Sequence, residues 1–410
     1  MKSEIRHLMK ENNVEALLIT GAGQHNPSMV YLTGGGHMTS ADLVFPIGEQ
    51  EVLYCRPMER DEAKKSGLKT VLITEFPYQD YLRASNGDQA MAQAIRYKGM
   101  LKKSGIESGQ IMLYGVGDIN KTYPVFKALQ SLLPEVELVG NSEFDVLQKA
   151  MMCKSAEEIA RIQHMGEITV EVVGRVAEFL TNQNVENEVL IKQDGRPLRI
   201  EDVKNRINFW LAELGAENPE GTIFAIGHDA GVPHSVGNPN DYIILGKTIV
   251  FDIFPCEAGG GYFHDFTRTW SLEYATDEVI KVYEDVKKVY DTIASSLTKG
   301  TVFKQYQKQT CDLFEGLGHM TVCKDTNALE GYIHSLGHGV GLNIHEYPFS
   351  GYTAGDDEIL SPGTVFTIEP GLYYPSRNLG VRLEDTYVTK EDGNFSTLID
   401  YPLDLVLRMK

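Results

Sequence analysis

Four carboxylates stand in this chain where a buried β-strand has no room for charge. Ile249-Val250-Phe251-Asp252-Ile253-Phe254 is apolar apart from Asp252, and Asp265 lies in Tyr262–Trp270, which reads as a second strand. Gly259-Gly260-Gly261 between them can turn the chain, so the two runs are expected to pair as a hairpin with the aspartates close together. The oddity repeats further on. Glu369 ends the run Val365-Phe366-Thr367-Ile368, and Glu384 lies in Val381-Arg382-Leu383-Glu384, where a period of two sets Arg382 and Glu384 on one face. Each acid alone could be satisfied by an Arg or Lys, or stand at a solvated strand end. Ionised carboxylates gathered in an apolar interior are very costly unless cations neutralise them, and divalent metal ions do so economically.

The segment His334-Ser335-Leu336-Gly337-His338-Gly339-Val340-Gly341-Leu342-Asn343-Ile344-His345-Glu346-Tyr347-Pro348 supplies the imidazole for such a site. Glycines on both sides of His338 permit the close approach that a crowded metal centre requires. No histidine follows His345-Glu346 at helical spacing, so this is not a zincin motif. No Lys-Ser/Thr follows Gly337–Gly341, so it is not a phosphate loop. Carboxylates with imidazole suit manganese, iron, cobalt or zinc.

A chain of 410 residues is too long for one hydrophobic core, and two domains are expected, at 1–150 and 151–410. The first alternates β-rich runs (Ala16–Thr20, Leu43–Phe45, Val71–Ile73) with helical ones around Met91–Met100 and Tyr123–Leu133. It is therefore an α/β domain without evident chemistry, and Gly34-Gly35-Gly36 reads as a turn. Near residue 150, Ser155-Ala156-Glu157-Glu158 has capping-box spacing. It opens an amphipathic helix through Ile159, Ile162, Met165, Ile168, Val172, Val173 and Val176. Helices over Val203–Leu214, Glu278–Leu297 and Phe303–Leu313 mix with strands at Thr248–Phe254, Tyr262–Trp270, Thr364–Glu369 and Gly380–Val388. The second domain is accordingly α+β.

The net charge of −19 argues against a nucleic-acid partner. No apolar run approaches membrane-spanning length, and the charged start Met1-Lys2-Ser3-Glu4 leads into no signal-type stretch, so a cytoplasmic location is expected. Five scattered cysteines without a CxxC read as free thiols in a reducing compartment, with Cys256 an incidental thiol. His264, beside Asp265, faces the other side of its strand and reads as structural. His334 reads either as a group behind the ligands or as a satisfied histidine.

Taken in order, Asp252, Asp265-Phe266-Thr267-Arg268-Thr269, Gly337-His338-Gly339-Val340-Gly341, His345-Glu346-Tyr347-Pro348, Ile368-Glu369-Pro370-Gly371 and Val381-Arg382-Leu383-Glu384-Asp385 closely resemble the pita-bread metallopeptidases over roughly residues 150–400. That group includes methionine aminopeptidase, aminopeptidase P, prolidase and creatinase. An N-terminal α/β domain of this size resembles the creatinase/prolidase branch. The resemblance implies a creatinase-like N-terminal domain, a pita-bread catalytic domain and two divalent metal ions, manganese first, with cobalt, zinc or iron as alternatives. It further implies hydrolysis of Xaa-Pro bonds, in dipeptides or at the N-terminus of longer peptides, by a water shared between the metals.

Carried over residue by residue, Asp252 chelates one metal, Asp265 and Glu384 bridge both, and His338 and Glu369 complete the second. Glu369 also handles the proton. His345 and His234 match the two substrate-contacting histidines, with His228 as the rival of His234, and Arg382 matches a residue behind the bridging glutamate. A homodimer is implied, with neither a nucleic-acid nor a membrane partner. The chain departs from the family pattern in having twelve residues between Asp252 and Asp265 where ten are usual, and in Phe254-Pro255 where a small residue often follows. The first is expected to be absorbed at the hairpin tip, the second to reshape the pocket wall. A metal-free creatinase-like hydrolase and a non-catalytic binding protein of the same fold are the alternatives. Both are disfavoured because all five ligands are present.

Overall fold

A computed structural model describes residues 2–140 and 144–410. Backbone contacts divide the chain into two compact units. One is Met1–Met151 with Gly259–Gly261, and the other is Met152–Ala258 with Tyr262–Lys410.

The first unit is built on a six-stranded mixed sheet: β1 (Val14–Gly21), β2 (Ala41–Pro46), β3 (Val52–Cys55), β4 (Lys69–Leu72), β5 (Gly109–Gly115) and β6 (Val136–Val139), in the order β4-β3-β2-β1-β5-β6. Strand β1 is central and buried on both sides, which explains its unbroken apolar run. Leu17 and Ile19 pack with Ile5, Met29 and Leu147 on one face, while Ala16 and Leu18 pack with Met100, Leu101 and Leu129 on the other. Gly34 ends the helix Pro27–Thr33 in the left-handed conformation at φ 78°, so the glycine triplet begins as a helix cap.

In the second unit, two helix-backed sheets meet at a seam. The first sheet runs in the order Thr222–Ile226, Thr248–Ile253, Phe266–Leu272, Val406–Leu407 and is covered by the helices Ala156–Thr181 and Ile200–Glu213. Ser155 and Glu158 form the anticipated capping box. The second sheet runs Glu346–Phe349, His338–Gly339, Val365–Ile368, Asp385–Thr389, Phe395–Thr397, under the helices Asp277–Ser296 and Lys304–Gly316. A ribbon of Gly371–Tyr374 and Leu379–Arg382 stands beside it.

Several details differ from the sequence reading, and each bears on the site. Residues 262–265 lie outside the strand, which begins at Phe266, so Asp265 stands immediately before it. The segment 380–388 is two strands, because after Arg382 the chain leaves the Gly371–Tyr374 ribbon and pairs instead with Val365–Ile368. Leu383 and Glu384 occupy the switch, where the Glu384 amide donates to the Thr267 carbonyl of the first sheet at 3.1 Å. Cys311 and Cys323 form a disulfide, contrary to the expectation of free thiols throughout. The chain turns back after the helix Lys304–Gly316 and brings their Cα atoms to 6.2 Å, within bridging range although no CxxC is present. The other three cysteines form no disulfide.

Candidate metal centre

The register of the first sheet explains why an aspartate is tolerated in an apolar strand. Ile249, Phe251 and Ile253 face the helices, where Phe251 packs between Phe224 and Trp270 at ring distances of 5.3 and 5.5 Å. Period two turns Val250 and Asp252 the other way, toward the seam. Asp252 pairs in register with Ile223 and Thr267. Asp265 enters at the start of its strand and Glu384 at the switch between sheets. Glu369 enters where Val365–Ile368 gives way to Pro370, its amide bonded to the Leu336 carbonyl at 2.8 Å. The acids therefore converge because two sheets end or change partner at one place.

All five expected ligands line one cavity of about 340 Å³, together with His234, His345 and Arg382. Ligand atoms of Asp265, His338 and Glu384 lie within 4.8 Å of one another. His338 Nε2 is 3.6 Å from Asp265 and 3.5 Å from Glu369. Its Nδ1 lies 3.1 Å from the Gly339 carbonyl, and burial lowers its pKa to about 3. The neutral ring thus donates from Nδ1 and aims the Nε2 lone pair at the acids, the tautomer a metal ligand needs.

Electrostatics agree with the geometry. Burial, then the charges of Asp252 and Glu369, push the Asp265 carboxyl well above the usual range. Glu384 rises in the same way, from burial and then Asp265, and Glu369 is pushed up to about 8, chiefly by burial. Four carboxylates face one arginine here. Asp252 Oδ1 and Glu384 Oε1 are buried and meet no hydrogen-bond donor among the described residues. Unsatisfied buried carboxylate oxygens are rare in folded proteins, and divalent cations would satisfy these. The donor set fits such ions.

Arg382 braces the site. It bonds Asp252 Oδ2 at 2.5 Å, Tyr373 OH at 2.8 Å, and Thr267 Oγ1 and the Pro233 carbonyl at 3.2 Å each. The Pro233 contact ties down the segment that carries His234. His228, the rival, is exposed beside Asp229 and does not line the cavity. The ring of His345 lies 4.2 Å from that of His338.

Sequence reasoning did not single out Thr267, Tyr373, Lys154 or Glu220. Thr267 gives its hydroxyl proton to Glu384 Oε2 at 2.6 Å, and period two from Asp265 was a usable signal for it. Tyr373 holds Arg382 and lies 3.0 Å from His334 Nε2, while His334 Nδ1 is 3.9 Å from Glu369. His334 therefore stands against the ligands. Lys154 and Glu346 form a fully buried ion pair at 2.5 Å, for which local sequence carries no signal. His264 is buried, neither ring nitrogen meets a hydrogen-bond partner among the described residues, and it lies away from the cavity.

Comparison with known proteins points the same way. Residues 2–147 match the creatinase/prolidase N-terminal domain. An Xaa-Pro dipeptidase of Pyrococcus horikoshii is 27% identical over 398 residues, which is 95% of this chain and 94% of that protein. A peptidase of Bacillus subtilis is 26% identical over 99% of this chain and all of its own length. Among solved structures, an Xaa-Pro dipeptidase from Bacillus anthracis superposes with a TM-score of 0.75 at 20% identity, covering 98% of each chain. An X-Pro aminopeptidase from Thermotoga maritima superposes with a TM-score of 0.73 at 20% identity, covering 96% of this chain and 97% of that one. These likenesses establish the shared fold, the pita-bread catalytic domain behind a creatinase-type N-terminal one. Residues 160–391, more than half of the chain, match the model of metallopeptidase family M24, and to that family the chain belongs.

Proposed function

We propose that this protein hydrolyses Xaa-Pro peptide bonds with two divalent metal ions, residues 1–150 forming an accessory α/β domain and 151–410 the catalytic one. The observation that carries the reading is the seam of buried acids with orphaned oxygens around His338, in a chain whose similar proteins include Xaa-Pro dipeptidases. Asp252, Asp265, His338, Glu369 and Glu384 would hold the ions, and four oxygen donors to one nitrogen favour manganese over softer metals. When bound, such ions polarise the scissile carbonyl and bring a water to ionise near neutral pH.

The chain's own groups do the rest. Glu369 takes the water's proton on its carboxylate and delivers it to the proline nitrogen as that nitrogen leaves. His345 and His234 donate hydrogen bonds to the oxygen on which charge develops and to the substrate backbone. Arg382 holds Asp252 in orientation through the hydrogen bond to its Oδ2. The nitrogen of an Xaa-Pro bond carries no hydrogen, and the wall of Ile223, Val236, Phe254, Ile344 and Phe349 asks for none. Phe254 thus sits in the wall, where a small residue would leave more room.

The metal-free and non-catalytic alternatives would need no complete ligand set, whereas five donors line this cavity. A homodimer is proposed on the family resemblance alone. In the described residues no helix is long and apolar enough to cross a membrane. The test is an assay of Ala-Pro, Ala-Pro-Ala and Ala-Ala-Ala with manganese, cobalt, zinc and iron in turn, alongside elemental analysis. Proline-dependent, metal-dependent turnover supports the reading. Equal cleavage of Ala-Ala-Ala, or full activity in metal-free protein, overturns it.

A further inference from the structure

Charge in the cavity discriminates between a free dipeptide and a longer peptide. In Xaa-Pro the terminal carboxylate is attached to the proline Cα, itself bonded to the leaving nitrogen. With the scissile carbonyl at the acid cluster, that carboxylate is confined to the same cavity as the ring. In a longer peptide the corresponding group is a neutral amide, which needs only hydrogen bonds.

Among the described residues lining the cavity, Arg382 is the only permanently cationic side chain. It is already committed, paired with Asp252 at 2.5 Å and spending further donors on Tyr373, Thr267 and Pro233. His338 already faces the acid cluster, its Nε2 3.6 Å from Asp265 and 3.5 Å from Glu369, and His334 Nε2 lies 3.0 Å from the Tyr373 hydroxyl. Two divalent cations with Arg382 would exceed the four clustered carboxylates by one positive charge only. Among the described residues of the lining, the one further carboxylate is Glu220, which is exposed. The rest of the wall sets Ile223, Val236, Phe254, Ile344 and Phe349 beside the uncharged or hydrogen-bonding Ser335, His234 and His345. A substrate carboxylate here would lose water, find no uncommitted side-chain cation and face an acid, which disfavours it.

Building on the Xaa-Pro reading, we infer that the site selects peptides that continue beyond the proline over free Xaa-Pro dipeptides, with Glu220 as a specificity determinant. This goes against the dipeptidase names of several relatives.

The experiment compares kcat/KM for Ala-Pro, Ala-Pro-amide and Ala-Pro-Ala on the full-length, metal-loaded protein, with equilibrium binding of proline and prolinamide measured calorimetrically. Amide and tripeptide should exceed the free dipeptide by at least about tenfold, and prolinamide should bind correspondingly tighter than proline. In Glu220→Lys the preference should shrink by about threefold, the modest effect of an exposed charge. Equal or better hydrolysis of Ala-Pro, or equal binding of proline and prolinamide, overturns the inference while leaving Xaa-Pro hydrolysis standing. An unchanged ratio in Glu220→Lys removes Glu220 from it. Should no Xaa-Pro substrate be cleaved while Ala-Ala-Ala is, the proposed function fails instead, and the binding comparison still decides the charge argument.

Discussion

Replacing Lys154 by Met should destabilise the catalytic unit sharply. The Lys154 ammonium and the Glu346 carboxylate are 2.5 Å apart, with side chains only 2% and 1% exposed. Beyond the ammonium, Glu346 Oε1 meets no hydrogen-bond donor among the described residues, while Oε2 accepts only the Asn343 amide, at 3.3 Å. Removing the lysine would leave an uncompensated carboxylate in the interior, and breaking a buried pair from one side costs about 3–5 kcal/mol. At roughly 2–4 °C per kcal/mol for a unit of this size, Tm should fall by about 6–20 °C. Glu346 also follows His345 directly and packs against Gly341, where an added Cβ would lie 2.0 Å from its carboxylate. The loop carrying both functional histidines should loosen with it, lowering kcat. The assay is urea unfolding of wild type, Lys154→Met, Glu346→Gln and the double variant. Because the double variant leaves no unpaired charge, it should be more stable than Lys154→Met alone. A single-variant loss below about 1 kcal/mol, or a double variant no better than the single, would refute the reasoning.

Glu384→Ala should lose most bound metal and nearly all activity while remaining folded; unchanged metal stoichiometry by elemental analysis would sink its assignment as a ligand. His345→Ala should keep its metal yet lose about 10²–10³ in kcat, with KM changed much less, as expected for one hydrogen-bond donor to a developing charge. A fall in metal content that tracks activity would make His345 a ligand. His264 carries a pH dependence of its own. Burial lowers its pKa from 6.5 to about 3, so between these values the unfolded chain binds the extra proton. Its contribution is therefore full above pH 6.5 and is lost as pH falls toward 3, by up to about 1.4 kcal/mol per pH unit. The stability of wild type relative to His264→Leu should be flat above pH 6.5 and decline below it, and a difference independent of pH would refute this.

Sequence alone determined which residues meet at the centre. An aspartate inside Ile249–Phe254 and a glutamate after Val365–Ile368 conflict with burial unless something neutralises them, and that conflict is local and visible. The helices with clear periodicity and caps were equally legible, since capping and amphipathicity are decided within a few residues. Only tertiary structure decided how the acids converge. Asp265 precedes its strand and Glu384 sits in the gap between two, because the chain changes partner between sheets, a choice made by distant segments such as Thr267 and Pro370. The same holds for Lys154 against Glu346, for the Cys311–Cys323 disulfide and for Glu220 at the cavity. Each pairs residues distant in sequence, or brings one to a site by the packing of other segments. A residue's own neighbours set its local conformation, but burial and the charge that must accompany it are fixed by what packs against it from elsewhere in the chain.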